Sequence, residues 1–147
     1  MKNSLALLIV CFCLWTSCSK DEKTTIEILA AHTWKISAAT ISPGATNPAN
    51  GSLITDLLGF VGGCLGDNLY SFTLDGKYIE DEGPTKCNPA DPQLTTANLN
   101  LSADGKSFTA DGVVYTFESL AENKIVFTFA ATVNGTTQMV KFTLIPK

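Results

Sequence analysis

From Asn68 to the C-terminus the chain is a run of short segments in which apolar and polar residues alternate with period two, and no other feature constrains the fold as strongly. Tyr70, Phe72 and Leu74 share one face of the first segment, with Ser71 and Thr73 on the other. Ala97, Leu99 and Leu101 alternate within 96–102, and Val113, Tyr115 and Phe117 within 113–119. Ile125, Phe127, Phe129, Ala131 and Val133 follow, and then Val140, Phe142 and Leu144. Asp75-Gly76, Asp104-Gly105, Asp111-Gly112 and Asn134-Gly135 punctuate these runs. Such pairs between alternating stretches mark hairpins, because they accept positive φ at little cost. Segments 77–81 and 107–110 add two short strands, and 34–41 adds an earlier one with Trp34 and Ile36 on a shared face. A meander with one apolar face must bury that face and deal with two edges, and closing into a barrel does both. A two-layer sandwich needs longer crossovers, which only 42–66 and 83–95 could supply. The expected fold is all-β, an antiparallel up-and-down barrel of about eight strands.

The rest of the chain decorates that barrel. Residues 24–31 suit a short helix, with Thr24 or Thr25 as N-cap and Glu27 near the positive end of its dipole. The stretch 42–66 holds Pro43, Pro48 and six glycines around an apolar patch at 53–61, and reads as a loop carrying a short helix, a candidate lid.

Composition narrows the chemistry. Ten lysines, no arginine and a net charge of −4 argue against a nucleic-acid partner, which needs a clustered basic footprint. A single histidine, His32, has no partners at catalytic spacing, and it is expected to cap carbonyls or pack over Trp34. Glu80-Asp81-Glu82, with Asp67 and Asp75, lacks the D-x-D-x-D-G pattern of a calcium loop and reads as a solvated strand edge. The glycine-rich 59–66 lacks the Lys-Ser/Thr of a phosphate loop. No enzyme activity, metal or cofactor is expected.

At the N-terminus, an eleven-residue apolar run from Leu5 to Trp15 is too short to span a bilayer and has the length of a secretory signal core. Thr16-Ser17 before Cys18 resembles a bacterial lipoprotein signal, which implies cleavage after residue 17 and acylation of Cys18. The polar run from Ser19 to Thr25 then reads as a tether, and it looks like the export signals of some Gram-negative lipoproteins. The expected organisation is a signal at 1–17, lipidated Cys18 and tether at 18–25, and a barrel at 26–147, anchored in the outer membrane. With Cys11 and Cys13 removed and Cys18 acylated, Cys64 and Cys87 remain, most simply as one disulfide. They are too few for a metal site, and they lack the C-x-x-C spacing of a redox pair.

Three features together resemble a lipocalin-like domain of small Gram-negative lipoproteins. They are Trp34 after a short helix, the block from Cys64-Leu65-Gly66-Asp67-Asn68 through Asp75-Gly76 to Cys87, and the hairpin strands ending in Leu144-Ile145-Pro146. The resemblance implies a barrel whose inward aromatics hold a small apolar ligand. The candidates are Trp34, Tyr70, Phe72, Tyr115, Phe117, Phe127, Phe129 and Phe142. Lys141 is the cation available to lie over Trp34, where lipocalins place an arginine. The same aromatics also suit a filled interior, in which case the protein is a surface interaction module that binds protein or glycan through its loops.

Overall fold

The computed structural model describes residues 22–133 and 135–147. The expected signal segment, Cys18 and residues 19–21 of the tether therefore lie outside the described residues. The elements in chain order are helix α1 (Thr25–Ala30), strands β1 (Thr33–Thr46) and β2 (Leu53–Asp56), helices α2 (Leu57–Val61) and α3 (Gly63–Gly66), and then seven strands. These are β3 (Leu69–Phe72), β4 (Lys77–Asp81), β5 (Leu94–Leu101), β6 (Ser107–Ala110), β7 (Val113–Ala121), β8 (Lys124–Val133) and β9 (Thr136–Pro146). Among the described residues no helix is long and apolar enough to cross a membrane.

Every neighbouring pair from β3 to β9 is an antiparallel hairpin, and β1 closes the ring by pairing with both β3 and β9. The result is an eight-stranded up-and-down barrel without a free edge among those eight strands. Turn chemistry sets the registers. Asp111 and Gly112 both take positive φ (48° and 76°), as a two-residue type I′ hairpin requires. At Asp75-Gly76 only the glycine is left-handed, and its N–H closes on the Thr73 carbonyl at 3.0 Å, so that turn is longer than the two-residue one and shifts the register to Phe72 opposite Tyr78. This shortens β3. Leu74, expected on the inward face, lies in the turn and is 71% exposed.

The first strand runs five residues beyond its expected end, through Pro43 to Thr46, and 42–66 is not simply a loop with a helix. Asn50-Gly51 turns the chain, and β2 pairs back on β1, with Thr46 opposite Leu53 and Ala45 opposite Ile54. Pro43 is tolerated because β1 is irregular there: its pairing with β2 breaks between Thr40 and Ala45. β3 covers β1 only at Thr33–Lys35, and α2 and α3 bridge the gap between β3 and β2. Leu57 and Leu58 of α2 turn into the core, while Phe60 and Val61 face outward.

α1 closes the opposite end. Glu27 accepts hydrogen bonds from the Thr24 backbone N–H (2.7 Å) and hydroxyl (2.8 Å), which fixes Thr24 as N-cap. Leu29 packs inward, and Thr25 reaches the Gly105 carbonyl in the β5–β6 turn. The base of the barrel is therefore covered by α1, and its other end carries the β1–β2 hairpin, α2, α3 and the long β4–β5 loop.

Candidate functional site

The barrel is filled in its lower part and hollow above. Trp34 is wholly buried beneath α1, and its Nε1 donates to the Leu29 carbonyl at 2.7 Å. His32 meets the Trp34 ring edge-on at 5.4 Å. Lys141 does not cover that ring. It lies five residues from Pro146, the β9 partner of Trp34, and pairs with Glu118 at 2.8 Å. Phe108, which the sequence reading did not single out, lies between the filled and hollow parts. It stacks on Tyr115 (4.6 Å, 9°), and Phe72 and Phe127 meet it edge to face. Phe117 packs on it at 5.4 Å.

Above Phe108 lies a cavity of about 210 Å³ lined by Leu65, Tyr70, Tyr78, Glu80, Tyr115, Phe127, Phe129 and Phe142. Five of the eight candidate aromatics come together there: Tyr70, Tyr115, Phe127, Phe129 and Phe142. Trp34, Phe72 and Phe117 do not line it, because they fall in the filled part of the barrel. Larger hollows, of about 410 and 530 Å³, are bounded by side chains on the outer faces of the strands, such as Lys77 and Asn98 or Ser37 and Thr40.

Three lining residues were missed in the sequence. Leu65 comes from α3 and reaches the cavity from the lid. Tyr78 and Glu80 come from β4, and Glu80 corrects the reading of 80–82 as a solvated edge. β4 is paired on both sides, and the β3–β4 register sets Phe72 opposite Tyr78 and Tyr70 opposite Glu80. Residues directly opposite each other share a face, so the buried Tyr70 carries Glu80 inward. The turn signal alone could not show this: a two-residue turn at Asp75-Gly76 sets Asp81 opposite Tyr70, and only the longer turn, centred on Asp75, brings Glu80 there.

The Glu80 carboxylate is held by two donors, the Tyr78 hydroxyl on Oε2 (3.0 Å) and the Asn68 amide on Oε1 (3.2 Å). It forms no ion pair among the described residues. Burial pushes the phenols of Tyr70 and Tyr78 far above their ordinary value, and the negative charge of Glu80 adds to the shift. Burial also raises Tyr115, followed by Glu80 and Asp111.

These three are the only tyrosines in the chain, so tyrosinate formation reports on the cavity alone. An unfolded tyrosine ionises near pH 10. With folded values raised above that, the stabilisation is complete below about pH 10 and is lost as pH rises past it. In an alkaline titration, tyrosinate absorbance should appear together with loss of the β-sheet dichroism. Tyrosinate forming while the sheet signal persists would refute the burial of these rings.

Cys64 and Cys87 form the disulfide, with Cα atoms 4.9 Å apart, and it ties α3 to the β4–β5 loop. Among the described residues no group of three or more His, Cys, Asp or Glu side chains is placed to hold a metal ion.

No protein-family profile matches the chain, and no curated protein sequence matches it. Among solved structures, the bovine odorant-binding protein in complex with a selenium-containing odorant is similar, at 11% identity and a TM-score of 0.45. The match covers 87% of this chain and 76% of that one.

Proposed function

We propose that the protein binds a small, mainly apolar ligand non-covalently within the barrel, as an exported carrier or receptor rather than a catalyst. The observation that carries this reading is the aromatic cavity above Phe108, in a barrel whose lower part is filled. A barrel with no binding role can be packed throughout, and eight strands leave room for one small guest. Burial of apolar ligand area against these rings supplies the affinity, at about 25 cal/mol per Å². We further propose that the chain is lipid-anchored through Cys18 in the outer membrane of a Gram-negative cell. The pattern of residues 5–18 supports this address. α1 begins seven positions after Cys18 and caps the base, so an anchor there turns the base toward the membrane and the lidded end away from it.

Mass spectrometry of the full chain, expressed in a Gram-negative host and recovered from its membranes, tests both parts. The expected product begins at Cys18 with added acyl mass and, under native conditions, carries a stoichiometric small molecule that is released on denaturation. An unmodified Cys18 would overturn the anchor. A protein that stays empty across extracts of the host and its medium would overturn the carrier reading and favour a loop-mediated interaction module.

A further inference from the structure

We infer that the ligand is a small organic ammonium ion, an amine bearing an aryl or short alkyl body, with its charged nitrogen on Glu80. This rests on the small-ligand reading of the same cavity and specifies its chemistry. The walls are three phenols, three phenyl rings and one leucine, and Glu80 is the only charged lining residue. An ionised carboxylate offers about four acceptor positions, and here two protein donors fill two of them. Asn68, 97% buried, gives its amide nitrogen to Glu80, while its Oδ1 has no donor. The polar end of the cavity therefore presents one carboxylate, held by neutral donors and with no cation opposite it among the lining residues.

A wholly apolar guest would strip water from Glu80 and return nothing. A fatty acid or other anion would set like charges together. An ammonium group supplies both donors and the opposite charge. Aromatic rings in the wall, Tyr70 and Tyr78 beside Glu80 among them, favour a cation over a neutral group of the same size where it meets a ring face. Because burial holds all three phenols protonated, they add no competing charge. Size sets the class of body. An apolar cavity of roughly 150 Å³ accommodates benzene, and the one here, at about 210 Å³, leaves room for a ring and a two-carbon arm.

Calorimetric titration of the full chain at pH 7 with three probes that share a phenylethyl body tests this: 2-phenylethylamine, 2-phenylethanol and 3-phenylpropanoate. The amine should bind at least tenfold more tightly than the alcohol, and the carboxylate more weakly than either. Glu80→Gln should bring the ratio of amine to alcohol affinity close to one. Equal affinity for amine and alcohol in the wild type would overturn the ammonium assignment and leave the small-ligand reading standing. Binding of none of the three would overturn the assignment too, and the extraction experiment would then decide the carrier reading separately. Should Glu80→Gln fail to fold, the wild-type comparison still decides.

Discussion

Trp34→Ala should destabilise the barrel by about 3–5 kcal/mol, the usual cost of truncating a large buried aromatic. Domains of this size are stable by roughly 5–15 kcal/mol, so this single change removes about a fifth of the total or more. Two causes act together. The ring is wholly buried between α1 and the base of the barrel, so its removal leaves a cavity. Its Nε1 also supplies the donor for the Leu29 carbonyl, one of the last-turn acceptors that a short helix cannot satisfy internally. Trp34→Phe separates the two causes. It keeps most of the ring and deletes the donor, with an expected cost of about 1–3 kcal/mol. Chemical denaturation of both variants checks this. A loss below 1 kcal/mol for the alanine variant would show that α1 does not depend on Trp34, and equal losses would assign the whole effect to the hydrogen bond.

The same residue shows how far the sequence could be read. Trp34, Ile36, Phe127, Val140 and Leu144 were legible as inward-facing because period-two alternation states the face of a strand directly. The Asp-Gly and Asn-Gly pairs stated where the chain reverses. Alternation says which face is inward, and it does not say how far along the barrel each residue sits. That height depends on the stagger between strands, which local sequence does not encode. Hence eight aromatics were assigned to one lining, although three of them fill the lower part and Phe108 had no role. Glu80 was hidden for a different reason. A run of three acidic residues reads as solvent-facing, and only the register across the Asp75-Gly76 hairpin reveals that the middle position of Tyr78, Glu80 and Glu82 faces inward. The β1–β2 hairpin was hidden by Pro43 and Pro48, which suggest loop, although Asn50-Gly51 carried the same turn signal as the later hairpins.

Replacing Cys64 and Cys87 together with alanine should cost about 3 kcal/mol, and the loss should be felt first at the lid. The bond closes a loop of 23 residues, for which the chain-entropy model gives a stabilisation of that size. What it holds has little other support. Neither α2 nor α3 contains a fully buried residue, and α3 is four residues long. Apart from the disulfide, the polar tie from this segment to the β4–β5 loop is the Thr85 backbone N–H donating to Asp67 at 3.0 Å. β8 and β9, by contrast, are joined along nine residue pairs, from Ile125–Leu144 to Val133–Thr136. Segments with few buried contacts open at low free energy, well before the global transition. Amide exchange in the double variant should therefore accelerate most at 57–67 and 83–93, while β8 and β9 lose protection only in step with global stability. Because Leu65 lines the cavity from α3, ligand release should quicken in the same variant. Uniform acceleration across the barrel would show that the bond supports the fold as a whole. An unchanged unfolding midpoint would show that the lid is held by its own packing, and the cavity would then keep its roof without the bond.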